Sequence, residues 1–166
     1  MRNTIKSGLT IILIIYVLIL SNLILFKHLS IPEILSRFTF SYDDYYWNNH
    51  NFIPFRTIIY YLFYLDINFN IRVDNLVGNI IGFSPFGILL PLLSKRFLNF
   101  KKVTMATFCI SLTFELLQII FKFGSFDVDD LILNTFGGIL GYLPIKIIYL
   151  FINYKQRQQK NGLSDN

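Results

Sequence analysis

The sequence predicts an all-α, polytopic membrane protein with four transmembrane helices, and three observations carry that prediction. Hydrophobic residues make up 54% of the 166-residue chain and charged residues only 15%, with a mean hydropathy of +0.52. A soluble domain of this size cannot hide so much apolar surface. The apolar residues gather into four runs, each close to the roughly 20 residues that an α-helix needs to cross a bilayer. Basic residues then cluster in alternate connections between the runs.

The first run, Leu9 to Phe26, holds 18 uncharged residues, and the second, Asn75 to Ser94, holds 20. Val103 to Phe121 is interrupted only by Glu115, and Leu131 to Tyr154 only by Lys146. One membrane domain over residues 1–154 is expected, with helices near 9–26, 75–94, 103–121 and 131–154. The first run has Arg2 and Lys6 ahead of it, as a signal peptide would. Its apolar stretch is longer than the usual ~7–15 residues and no small-residue cleavage site follows before Lys27, so it is expected to stay as a helix. The single cysteine, Cys109, lies inside the third run, which excludes a disulfide framework. It is expected to be a small packing residue.

Charge sets the expected orientation. Nine of the fifteen basic residues lie before the first span, between the second and third, and after the fourth, with Asp165 as the one acid beside them. The other connections hold five bases and eight acids. The positive-inside rule then places both termini in the cytoplasm. The net charge of +5 is a topology signal, and no nucleic-acid partner is expected. Residues 155–166, within the polar stretch YKQRQQKNGLSDN, are expected to form a disordered cytoplasmic tail near anionic headgroups. In the outer loop, YDDYYW (Tyr42 to Trp47) is the mixture of aromatics and acids suited to headgroup level. FIPFRTIIYYLFYL (Phe52 to Leu65) is too short to span and reads as an interfacial or re-entrant segment.

Polar side chains inside the spans are costly and face other helices, water or a ligand. On the third span Thr104, Thr107, Ser111, Glu115, Gln118 and Lys122 recur every three or four residues and form one stripe. On the second span Asn75, Asn79 and Gly82 share a face. On the fourth, Asp127, Asp130, Asn134, Gly138 and Gly141 do so. Gly78–Gly82 and Gly137–Gly141 have the spacing that lets helix backbones approach closely. The topology puts Asn75, Asn79, Glu115, Gln118, Asp127, Asp130 and Asn134 at one depth, in the outer half of the bundle, although they come from separated stretches of chain. This is the argument for a site. A capping role competes with it: Asp127 suits an N-cap with Asp130 at N3, and acids suit a helix N-terminus. Asn79 and Gln118 also suit interhelical hydrogen bonds, and Glu115 a buried packing role.

The blocks NFIPFRTI, NLVGNIIGFSPFGILLPLL, SLTFELLQ and GSFDVDDLILNTFGGILGY, in this order and spacing, resemble the VanZ-like family of small bacterial membrane proteins. The likeness covers about Asn51 to Tyr142 and the leading helix. It implies an integral membrane protein whose namesake confers low-level resistance to the lipoglycopeptide teicoplanin. The family's recurrent polar positions fall here on Arg56, Asn75, Asn79, Glu115, Gln118, Asp127, Asp129, Asp130 and Asn134.

Three functions compete. In the first, a binding or modulating module holds a lipid-linked cell-wall precursor in an outer-leaflet polar pocket, with Arg56 and Arg72 at its rim for phosphate. In the second, the chain is an enzyme in which Asp127, Asp129, Asp130 and Glu115 supply hard oxygen ligands for Mg²⁺ or Ca²⁺, or an acid–base pair. No Ser–His or Cys–His set and no phosphate-cradling loop names a reaction, His28 and His50 lack metal-ligand spacing, and no resident cofactor is expected. The third is a small transporter, flippase or subunit, with the stripe on the third span lining a path.

Overall fold

In lipid, backbone groups can be satisfied only within a helix or a closed barrel, and this chain takes the first course. The computed structural model describes residues 2–26, 50–64 and 69–164. Helix α1 is Arg2–Leu25, α3 is Phe69–Leu93, α4 is Phe100–Phe121 and α5 is Val128–Ser164, and all four are long and apolar enough to cross a membrane. Between α1 and α3 lies a short helical piece, α2 (Arg56–Ile59), which passes directly into a π-helical turn, Tyr60–Tyr64. Among the described residues there is no β-strand. A lone parallel bridge joins Asn51 to Asp127.

The helices run up and down. One end of the bundle, here the loop end, brings together Leu20 to Leu25, Asp74 to Phe83 and Gln118 to Asp130. The other, the terminal end, brings Lys6 beside Leu93, Lys95 and Tyr149. Both ends of the chain therefore leave the same side of the bundle.

The central contact is between α3 and α5, and glycine makes it possible. A Cβ on Gly137 would sit 2.2 Å from the Ile80 carbonyl oxygen, and one on Gly141 would sit 1.9 Å from that of Ser84. In return, a Cβ on Gly87 would sit 1.9 Å from the Gly138 carbonyl oxygen. The two backbones touch with no side chain between them, the arrangement expected of Gly137–Gly141. The Ser84 hydroxyl joins them, donating to Ile80 O (2.9 Å) and Gly137 O (3.2 Å).

The other expected glycine pair is corrected. A Cβ on Gly78 would meet nothing within 4 Å, and one on Gly82 would meet only Leu20 Cδ1, at 3.6 Å. The face of α3 turned to α5 is the one carrying Ile80, Ser84 and Gly87. Gly78 and Gly82 stand round the helix from it, toward α1. Spacing identifies a face, and the neighbour decides what the face is for.

Helix α4 turns its polar stripe inward. Thr107, Ser111 and Glu115 are buried there, while Cys109, expected to pack, is exposed. Helix α1 is the most loosely held. Its buried contacts are Leu20 and Leu25, packed with Phe83 and Phe114, and the Tyr16 hydroxyl, which donates to the Gly82 carbonyl. Most of its isoleucines and leucines are exposed, as a lipid-facing surface requires.

Capping sets the connections. Ser94 caps the short 3₁₀ turn Lys95–Leu98 by accepting from Arg96 N, and Asn99 caps α4 by accepting from Lys102 N. The Leu98 carbonyl is held by the Tyr142 hydroxyl (2.8 Å) and the Lys146 ammonium (2.9 Å). Helix α5 runs on through the polar stretch expected to be disordered, as far as Ser164. Lys, Gln and Arg are good helix formers. Local pairs add to this: Gln158 donates to the Tyr154 hydroxyl, and the Lys155 ammonium lies over Phe151.

The YDDYYW stretch lies outside the described residues. Within the segment read as interfacial or re-entrant, α2 and the π turn are too short to span. The described part of the segment presents Phe52, Ile53, Phe55, Tyr60, Phe63 and Tyr64 outward, as a layer at the loop end.

Candidate functional site

Residues 50–58 dock onto the start of α5, and two aspartates do the docking. The Asn51 backbone pairs with Phe126 O (2.7 Å) and Val128 N (3.0 Å). Asp127 accepts from Asn51 Nδ2 (2.8 Å) and from the Thr57 hydroxyl (2.6 Å), and also from Asp129 N (2.8 Å), which caps α5. Asp129 is fully buried. Its two oxygens accept from the backbone N–H groups of Phe55 and Ile58.

Phe55 has φ 66°, left-handed backbone that a phenylalanine rarely adopts. Turning the chain there is what lets the N–H groups of Phe55 and Ile58 reach one carboxylate. His50 adds a further tie, its Nδ1 accepting from Phe126 N at 2.9 Å. Burial holds the His50 pKa below the usual histidine range, in keeping with a ring nitrogen that must stay unprotonated to accept.

Beneath this clamp lies Glu115, 2% exposed. Its Oε2 accepts from Asp127 N (2.8 Å). Deeper still, Asn134 donates to the Ser111 hydroxyl (2.9 Å), while its own Oδ1 has no partner among the described residues.

Beside the clamp, between α1, α3, α4 and the start of α5, is a cavity of about 410 Å³. Asp74, Asn75, Asn79, Gln118 and Asp130 line it together with Leu20, Leu23, Leu25 and Phe83. Gly78 and Gly82 also line it, and their missing side chains leave it open. Asp130 accepts from Asn79 Nδ2 at 2.6 Å. Asn75 donates to Ile71 O of its own helix (2.8 Å), and Gln118 to Ile24 O of α1 (3.2 Å). Among the described residues, no lysine or arginine lines this cavity.

The residues singled out from sequence thus fall into groups. Asn75, Asn79, Gln118 and Asp130 share the cavity. Asp127, Asp129 and Glu115 belong to the clamp and the floor under it. Asn134 lies deeper against α4, and Arg56 is exposed on α2. Each carboxylate oxygen of Asp127 and Asp129 accepts a hydrogen bond from this chain, and Glu115 and Asp130 accept one each as well. Among the described residues, no group of three or more His, Cys, Asp and Glu side chains is placed to hold a metal ion.

Sequence reading missed Asn51, Thr57, His50 and Asp74. Asn51 and Thr57 lie in the NFIPFRTI block, each next to another polar residue (His50 and Arg56), so polarity alone did not set them apart.

The comparisons with known proteins agree with this architecture. The family model described as VanZ/LLP1 matches residues 13–151, which takes in the second half of α1, the docked segment, α3, α4 and most of α5. Protein VanZ of Enterococcus faecium is 41% identical over 71 residues, a match covering 40% of each chain. The matched stretch is therefore less than half the length of that relative. No solved structure matches. With four membrane-crossing helices and a family match along most of its length, the chain is a multi-pass membrane protein that belongs to the VanZ/LLP1 family.

Proposed function

We propose that the chain is a binding module of the bacterial cell envelope. Its loop-end cavity holds the sugar or peptide part of a lipid-linked cell-wall precursor, and occupancy lowers susceptibility to lipoglycopeptides such as teicoplanin. The carrying observation is the lining of the cavity, which combines two carboxylates and three amides with leucines and a phenylalanine. Such walls suit a molecule that joins hydroxyl, amide or amine groups to a hydrocarbon chain. With no described base in the lining, recognition rests on donors of the ligand rather than on its phosphate. Arg56, outside the cavity, is the group for a phosphate that follows. The distribution of charge supports an outward-facing loop end and cytoplasmic termini.

The test is teicoplanin susceptibility of cells carrying the wild-type chain, Asp130→Asn, Asn79→Leu or Glu115→Gln, with membrane levels matched by immunoblot. The wild type is expected to lower susceptibility, and the variants to lose that effect at normal protein level. Full activity in both cavity variants, Asp130→Asn and Asn79→Leu, overturns the proposal. Orientation is checked with cysteines at Ser164 and Asn49 in a Cys109→Ser background, where only the second should label from outside intact cells.

A further inference from the structure

A second cavity, of about 600 Å³, opens at the terminal end between α1, the α3–α4 connection and α5. It shares no residue with the loop-end cavity. Its size is that of a small-molecule site. Leu93, Ile148 and Ile152 supply apolar wall, while Lys6, Ser94 and Lys95 give polar lining. Both lysines are exposed, which puts their ammonium groups at the mouth. The turn bearing Lys95 is fixed by the Ser94 cap, and its far end by the bonds of Tyr142 and Lys146 to Leu98 O.

Charge decides what fits. Every described carboxylate, namely Asp74, Glu115, Asp127, Asp129 and Asp130, stands toward the opposite end. Lys6 and Lys95 therefore have no described acid to pair with, and Arg96, Lys101 and Lys102 follow close by in the chain. A groove with hydrocarbon walls and, at its mouth, two cations with no acid beside them among the described residues, at the depth where a helix bundle meets headgroups, matches one molecule. We infer that it is a binding site for an anionic phospholipid, with the phosphate between Lys6 and Lys95 and an acyl chain along Leu93, Ile148 and Ile152. Basic recesses between transmembrane helices favour such headgroups, each lysine near the surface contributing about fivefold in affinity.

The experiment is native mass spectrometry of the detergent-purified full chain, titrated with dioleoyl-phosphatidylglycerol or dioleoyl-phosphatidylcholine. The wild type is expected to retain phosphatidylglycerol in preference. Lys6→Gln with Lys95→Gln should weaken that retention roughly tenfold or more. The charge-matched pair Lys101→Gln with Lys102→Gln, outside the groove lining, should leave it near wild type. Ile148→Trp, at an exposed wall position, keeps every charge and should also weaken it by filling the groove. Equal losses in the two lysine pairs would mean diffuse surface attraction and overturn the site. No preference for phosphatidylglycerol, or unchanged retention in Ile148→Trp, overturns it as well.

Discussion

The two ends of the bundle handle charge in opposite ways. At the loop end, Asp127, Asp129, Asp130 and Glu115 each accept hydrogen bonds from elsewhere in the chain, and Asp129 is fully enclosed. At the terminal end, Lys6, Lys95, Arg96, Lys101 and Lys102 are exposed, and no described acid accompanies them. A short carboxylate cannot reach water from inside a helix bundle, so it must be given donors on the spot. A lysine has a long apolar stem and can extend its charge to the headgroup layer. Acids here organise the protein's own backbone, and bases are left for the surroundings.

If that contrast is right, the largest loss should come from Asp129→Ala. It removes the shared acceptor of Phe55 N–H and Ile58 N–H, and hydrogen bonds to a charged group contribute about 1.5–3 kcal/mol each. Thermal melting in detergent should fall well below wild type, and a cysteine placed at the half-buried Ile58 should label faster. Lys101→Ala, at the other end, should leave melting unchanged. A small effect of Asp129→Ala would show that the clamp is incidental.

A sharper test lies within the α3–α5 contact. Gly137→Ala places a methyl against the Ile80 carbonyl, and should cost about 1–3 kcal/mol because backbone, not a flexible side chain, must give way. Gly78→Ala enters open space and should stabilise α3 by about 0.5–1 kcal/mol. Equal melting temperatures for the two variants would remove the distinction drawn between the glycine pairs.

The smallest effect is pH dependence at His50. Its folded pKa is lowered from 6.5 by burial, so protons bind the undocked segment more tightly than the docked one. The contribution of His50 to docking is therefore complete above pH 6.5 and is lost as pH falls through the lowered folded value. Labelling of the Ile58 cysteine, taken relative to a free thiol at each pH, should rise as pH falls from about 7.5 to 5, on either side of the ordinary histidine value, and His50→Phe should flatten the profile. A flat profile in the parent protein would contradict the role given to the Nδ1 atom.

Much of this fold is legible in one sequence, because crossing a bilayer demands long uncharged runs and little else. Helix ends are less so. α1 begins at Arg2 and α5 runs to Ser164, since polar residues with good helical propensity extend a helix beyond the hydrocarbon without any apolar signal. The Asn79–Asp130 pair was foreseeable once topology put both residues at one depth. The clamp was not. Asp127 has a local reading, as a cap, which the bond from Asp129 N bears out. Its partners Asn51 and Thr57 lie two transmembrane helices earlier in the chain, and no periodicity links them. Cys109 shows the same limit: a small apolar residue in a span can face either protein or lipid.

The bond between Asn51 and Asp127 spans 76 residues, and this has a consequence for how the protein is made. Chains are synthesised from the N-terminus, so residues 50–58 emerge long before the carboxylates that will receive them. Until α5 has entered the bilayer, the N–H groups of Phe55 and Ile58 have only water to bind. The segment closes over the bundle last, as the final act of assembly. An intermediate stalled before α5 would carry an open loop end, without the Asp127 N–H that Glu115 accepts in the finished fold.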